Sequence, residues 1–381
     1  MSTNDWSTPE TEVFEQIDRA LAEDAGAVLA TVVDVEGSAY RRPGAKMLLW
    51  PDGGGVGSIT AGCLEDEVRA LAEDVLAEGS PRIEMWDLTG EDDVWGLGVG
   101  CNGVITVLLE PLGASYRPAV EARRAGEPVG VATVLGGDGG GAVGERAFYH
   151  PGEGFEMPAG SDFPAAALED LAGPTETLVA EGKADSLTVD TPAGSVEVFV
   201  DGLRPPDELV VFGSGHDVSP VVELAKQVDF RVTVVTFRGG RADSGDFSRA
   251  DEVVSASPRD VADLREWTPD THAVVMTHNF LDDRIALEQL FETPAGYIGL
   301  MGPQKRFEEM CEDFENEGRP VTEAERERVY TPIGLSLGGD TPYQIAFSIV
   351  AELLAVANDR TPQHLSRRTG PIHERVDATA E

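Results

Sequence analysis

Lysine is almost missing from this sequence. Four of its 29 basic residues are lysines (Lys46, Lys183, Lys226 and Lys305), and 69 acidic residues oppose them, for a formal net charge of −40 over 381 residues. A field of that sign repels nucleic acid and anionic lipid, so neither is an expected partner. The acidic residues are spread through helical and loop segments and not gathered in one tail, the pattern of a solvated surface on a folded protein. With lysine so scarce, the composition suits a high-salt cytoplasm, where screening over a few ångströms removes the self-repulsion. An acidic protein of ordinary surroundings is the competing account. Cysteine is scarce too: Cys63, Cys101 and Cys311 are scattered and odd in number, which makes no disulfide framework and no C-x-x-C metal pair. No apolar run is long enough to cross a bilayer, and the start has no basic segment followed by an apolar one. The expectation is a soluble, cytoplasmic protein of two or three domains with no membrane partner.

Against this acidic background the first half holds one cationic loop. A helix is expected over residues 10–23, with Val13, Ile17 and Leu21 on one face, followed by a buried strand over 27–34. Gly37-Ser-Ala-Tyr-Arg-Arg-Pro-Gly-Ala-Lys46 then sets Arg41, Arg42 and Lys46 among glycines, where an anion would be tolerated. Pairing with acidic neighbours is the plainer account. Residues 47–50 and 56–60 read as a hairpin across Pro51-Asp-Gly-Gly-Gly55, with Ser58 in its second strand and Gly62 just beyond. A helix over 65–77 places Cys63 near a helix N-terminus, which lowers a thiol pKa and favours the thiolate as nucleophile or soft-metal ligand. A small buried hydrophobe is the alternative for a free cysteine. After a strand over 82–87, the run 96–103 surrounds Cys101 with glycines, Gly100 among them, and a strand over 104–109 follows. Backbone so rich in glycine turns sharply or lets a ligand approach closely. Residues 115–205 read as a meander that finishes an N-terminal α+β domain spanning 1–201, with 202–207 as a linker.

From Glu208 onward strands and helices alternate, which predicts a Rossmann-like, doubly wound parallel sheet over 208–358 and a polar tail over 359–381. Ligands of such sheets bind at the carboxyl ends of the strands. Those ends carry Gly213 and Gly215, Thr277 and His278, Gly302, and Gly339 and Asp340. Gly213-Ser-Gly215 resembles the start of a phosphate-cradling G-x-G-x-x-G turn, but the third glycine position holds Val218. A turn that binds nothing is the alternative. His216 and His278, at two strand ends, read as polar ligand contacts, an acid/base pair, or local caps.

Taken together these motifs resemble the XdhC/CoxI family, accessory proteins of molybdenum hydroxylases. The resemblance rests on Gly37-Ser38, Arg42-Pro-Gly-Ala-Lys-Met47, Gly57-Ser58, Gly62-Cys-Leu-Glu65 and Gly98-x-Gly-Cys101 in the first half. In the second half it rests on Phe212-Gly-Ser-Gly-His216, Thr277-His278, Tyr297-Ile-Gly-Leu-Met-Gly302 and residues 332–342. It implies a chaperone of the molybdenum cofactor, as molybdopterin or its dinucleotide, that guards it during sulfuration by a cysteine desulfurase. The cofactor is then delivered to a xanthine dehydrogenase or carbon monoxide dehydrogenase type apo-enzyme. The resemblance also implies a homodimer, assigns no catalytic residue, and leaves Cys63 and Cys101 as candidate molybdenum contacts. The sequence departs from the family after the second strand of the sheet, where Thr236-Phe-Arg238 replaces an acidic residue that would hold a ribose 2′-OH. That argues against NAD, while Arg238 would suit a 2′-phosphate. The competing readings are an NAD(P)-dependent oxidoreductase with His278 as proton donor and a sulfur-transfer enzyme with Cys63 as nucleophile.

Overall fold

Val13, Phe14, Ile17 and Leu21 recur at helical spacing, and residues Glu10–Glu23 form α1 with that face buried. The computed structural model describes residues 7–88, 102–237 and 247–369. The chain divides into two units between Pro205 and Pro206. In the first, α1 is followed by β1 (Val28–Ser38), β2 (Lys46–Leu49), β3 (Gly55–Gly57), α2 (Glu65–Glu78), β4 (Arg82–Asp87) and β5 (Asn102–Pro111). These strands make an antiparallel sheet in the order β3-β2-β1-β5-β4. Strand alternation sends Val28, Ala30 and Val32 of β1 into the core beneath α2, and Leu29 into the core that α1 shares.

The rest of this unit repeats the plan. After α3 (Arg117–Ala125) come β6 (Val129–Gly137), β7 (Arg146–His150), β8 (Gly154–Glu156), α4 (Leu168–Glu181), β9 (Ala184–Thr191) and β10 (Gly194–Leu203). Their sheet runs β8-β7-β6-β10-β9, the same order as the first. The correspondence reaches single residues. Lys46 pairs in register with Thr31, and Arg146 with Thr133; Glu110 pairs with Leu29, and Asp201 with Val131. Both central strands bulge at matching places, skipping Val33 in β1 and Leu135 in β6. The two bulged residues pack in one cluster with Leu108 and Phe199. The meander expected over 115–205 is therefore a second α/β half. Its helices escaped the pattern because α3 buries little beyond Ala119, Val120 and Ala122, and α4 contains Pro174. Gly202 and Leu203, assigned to the linker by composition, end β10; a Cβ on Gly202 would lie 2.3 Å from the Leu178 carbonyl oxygen.

The second unit contains β11 (Glu208–Phe212), α5 (Val218–Gln227), β12 (Arg231–Thr236), β13 (Glu252–Ser255), β14 (Thr271–Val275), α6 (Phe280–Phe291) and β15 (Tyr297–Leu300). It continues with α7 (Gln304–Asn316), the short α8 (Glu323–Glu327), β16 (Val329–Tyr330) and α9 (Pro342–Ala357). All strand pairs are parallel, in the order β13-β12-β11-β14-β15-β16. This is the doubly wound arrangement expected from the sequence. Val210 and Phe212 face a core closed by α6 and α7, whereas Leu209 and Val211 face one closed by α5 and α9. Burial on both faces explains why these strands read as continuous apolar runs. Among the described residues no helix is long and apolar enough to cross a membrane.

Candidate functional site

Crossovers leave this sheet on opposite faces at β11 and β14, so the carboxyl ends of those two strands open a crevice. Two turns meet there. The first, residues 213–217, joins β11 to α5. Gly213 must lack a side chain, because a Cβ would lie 2.9 Å from both the Met276 carbonyl oxygen and a Val218 methyl. Val218 is fully buried at the start of α5, so hydrophobic packing governs the position where a third glycine would stand.

The second turn follows β14. The Thr277 hydroxyl donates to Asp283 Oδ1 at 2.5 Å, and its backbone N–H donates to the same oxygen at 3.2 Å. Arg306 donates to the other oxygen of this carboxylate, which is almost fully buried. Thr277 thus fastens the entry to α6, and Asn279 caps that helix by accepting from the Leu281 and Asp282 N–H groups. Between them His278 is held at φ 60°, a left-handed conformation that costs a non-glycine residue about 1–3 kcal/mol. In it, His278 Nε2 lies 2.7 Å from Asp217 Oδ2. A carboxylate can only accept, so the imidazole N–H donates. Asp217 immediately precedes α5, yet its carboxylate caps none of that helix's N–H groups.

A cavity of about 200 Å³ opens at this crevice. Asp217, His278 and Asp340 form its polar side; Val221, Met301 and the first two turns of α9 form its apolar side. Of the residues proposed from sequence, His278 and Asp340 line it, and Gly213 and Gly215 build the adjoining turn. Gly302 follows Met301 and is covered by Arg306, whose Cδ would lie 2.8 Å from a Cβ there. Gly339 packs on Gln344 at the capped start of α9. His216 is exposed and is not a lining residue. Sequence reasoning missed Asp217 and the apolar wall. Asp217 stands directly before the first buried residue of α5, a place where a capping acid is the usual reading, and Ile345 and Ile349 follow a core-like spacing.

In the first unit the cationic loop divides. Arg41 Nη2 lies 3.6 Å from the Glu10 carboxylate, with both side chains about a third exposed, and Arg42 Nε is buried with no hydrogen-bond partner. Lys46 is corrected by the structure. As the first residue of β2 it turns inward, and its ammonium bonds Asp201 Oδ2 at 2.5 Å and the Gly44 carbonyl at 2.8 Å with a side chain 1% exposed. Burial pulls its pKa down, but Asp201, with Tyr116 and Glu10 behind it, raises it above the ordinary value. The core holds this cation, and no anion is assigned to it.

Ser58 is half-buried, and Gly62 is exposed at φ 106°. The half-buried Cys63 packs at the edge of the core beneath α2, and its N–H donates to Thr60 Oγ1 at 3.0 Å. Buried Glu65 shapes this turn by accepting from the Thr60 N–H, the Thr60 hydroxyl and the Leu64 N–H. Gly100, Cys101 and Arg238 lie outside the described residues. Among the described residues no group of three or more His, Cys, Asp or Glu is placed to hold a metal ion.

Comparison with known proteins places both units. Residues 209–353 match the profile described as the XdhC Rossmann domain, and residues 20–87 match that of the XdhC and CoxI family. A Bacillus subtilis (strain 168) protein named as a probable xanthine dehydrogenase subunit is 31% identical over 349 residues, which is 89% of this chain and 95% of that one. The molybdenum cofactor insertion chaperone PaoD of Escherichia coli (strain K12) is 22% identical over 338 residues, covering 88% and 85%. Among solved structures, a xanthine dehydrogenase from Bacillus halodurans aligns with a TM-score of 0.71 at 31% identity, over 92% of this chain and 96% of that one. With the β11 turn and the β14 crevice inside one matched segment, the cationic loop and Cys63 inside the other, and a relative aligned along nearly its whole length, the chain belongs to the XdhC and CoxI family.

Proposed function

We propose that this protein matures a molybdenum hydroxylase: it holds the molybdenum cofactor, shields it while a cysteine desulfurase supplies sulfur, and passes it to the apo-enzyme. The observation that carries this reading is the half-apolar cavity at the β11/β14 crevice, in a chain related to a protein named as a molybdenum cofactor insertion chaperone. A molybdopterin joins a flat pterin, a phosphate-bearing arm and a dithiolene-bound metal. The α9 wall suits the ring, and the facing carboxylates suit its N–H groups. In the first unit, taken by itself, Arg41 and Arg42 are the cations we propose for an anionic group, and Cys63 is the thiol we propose as a soft-metal contact. The client is a hydroxylase of the xanthine dehydrogenase or carbon monoxide dehydrogenase type.

The experiment is anaerobic purification from a molybdate-supplied host, followed by elemental analysis and oxidation of any bound pterin to its fluorescent form. Molybdenum and pterin should copurify. Absence of both, together with clean NADPH binding, would overturn the proposal in favour of an oxidoreductase. Full cofactor retention by Cys63→Ala would remove the thiol from the site and leave the rest standing.

A further inference from the structure

In a sheet of this strand order, phosphate is ordinarily received over the glycine turn after the first strand, where helix N–H groups and bare glycine faces converge. That place is filled here. A Cβ built on Gly215 would lie 2.2 Å from Asp217 Oδ1 and 3.9 Å from His278 Cδ2. The bare face of Gly215 therefore accommodates the chain's own carboxylate. The other oxygen of that carboxylate is held by His278, whose left-handed backbone is kept at a cost in strain.

Charge decides what such a turn accepts. The cavity beside it presents a second carboxylate, Asp340, and no lysine or arginine among its lining residues. A diphosphate there would bring its charges against Asp217, with one imidazole to offset them. A ligand edge carrying two adjacent N–H donors meets the opposite situation, because each carboxylate oxygen has two lone pairs and His278 occupies one of the four. The remaining walls, Val221, Met301, Ile345 and Ile349, are apolar and suit the face of a ring. At about 200 Å³ the space falls below the roughly 300–1,000 Å³ of sites for drug-sized ligands, so it encloses one ring system and leaves the rest of a larger ligand outside.

We infer that Asp217, positioned by His278, makes this cavity a reader of the 2-amino-4-oxopyrimidine edge shared by pterins and guanine, and that no ligand diphosphate rests on the Gly213–Gly215 turn. The inference builds on the proposed cofactor role, of which the pterin is one part. It reverses the phosphate-holding role suggested by the glycines alone. His278 acts as a positioning residue: its N–H fixes the carboxylate, and the carboxylate meets the ligand.

The test uses the full chain and four probes in equilibrium titrations: free pterin, 2,4-dioxopteridine, guanosine and NADPH. The dioxopteridine keeps the ring face but presents one N–H between two carbonyls, so it should bind at least about tenfold more weakly than pterin. Asp217→Asn, nearly isosteric, should erase that preference and strengthen NADPH binding. His278→Asn, which tolerates the left-handed backbone, should reduce the preference in the same direction. Guanosine binding above pterin would keep the edge reading and name the nucleobase as its source. Equal binding of pterin and dioxopteridine, or NADPH binding that weakens in Asp217→Asn, would overturn it. The two proposals fail separately. Edge selectivity with neither molybdenum nor pterin copurified counts against the cofactor role, and copurified cofactor without edge selectivity sinks this assignment.

Discussion

The sharpest energetic consequence lies in the first unit, where two ion pairs cross between its repeated halves. Lys46 of the first half bonds Asp201 of the second, and Arg146 of the second bonds Glu110 of the first; the four side chains are 1–8% exposed. Each cation also lies 5.3 Å from the centre of an aromatic ring, Lys46 over Phe14 and Arg146 over Tyr116. Asp201→Ala would leave the Lys46 ammonium with the Gly44 carbonyl as its remaining hydrogen-bond partner, since Glu110 is engaged by Arg146. Removing one member of a buried pair costs about 3–5 kcal/mol, because the desolvation of the survivor is no longer offset. Replacing both charges, as Lys46→Met with Asp201→Leu, should recover most of that loss. The assay is urea unfolding of the whole chain by circular dichroism and fluorescence, fitted as separate transitions for the two units. Glu110→Ala serves as an internal replicate at the matching position. A loss below about 1 kcal/mol for Asp201→Ala, or a double variant as unstable as the single one, would show that solvent reaches these charges and would refute the reasoning.

The same cluster dictates an alkaline limit. Burial, more than any neighbour, pushes the Tyr116 hydroxyl up to about 12, and the Lys46 pKa is raised by its acidic partners. Both groups keep their protons in the folded state where the unfolded chain loses them, so their stabilisation is full below about pH 10 and declines above it. A flat stability profile for this unit between about pH 9 and 12 would count against the burial described. A net charge of −40 predicts unfolding or loss of compactness on dialysis to low salt, followed by scattering; full stability there would remove the high-salt adaptation. In the second unit the Tyr297 hydroxyl donates to Glu352, which also accepts the Gly334 N–H. Tyr297→Phe should therefore destabilise by about 1–2 kcal/mol in thermal melts, and an unchanged midpoint would mean water replaces the hydroxyl.

Legibility from sequence followed the range of the interactions. β11, β12, β14 and β15 were readable because each is an apolar run between two buried faces. The five-residue α8 and two-residue β16 were too short to show a period. The internal repeat was hidden by divergence. Ala30-Thr-Val32 and Ala132-Thr-Val134 match, as do Gly44 with Gly144 and Pro51 with Pro151, but the connecting loops differ in length and little else is shared. His278 is legible from its place at a strand end. Its pairing with Asp217 spans 61 residues, and its left-handed backbone leaves no compositional trace. Lys46 misled for a related reason: a cation beside glycines reads as exposed, while the acid that buries it stands 155 residues away.

The crossed pairs give this single polypeptide the logic of an isologous dimer, in which each partner lends the other what it lacks. A true homodimer must keep its two copies identical, so any group added to one face is added to both. Two halves within one chain are under no such restriction. The loop before β2 carries Arg41 and Arg42, while the matching loop before β7 carries Gly139, Gly140 and Gly141. The exchanged charges keep both halves bound to a common frame, and within it the two matching loops carry different side chains.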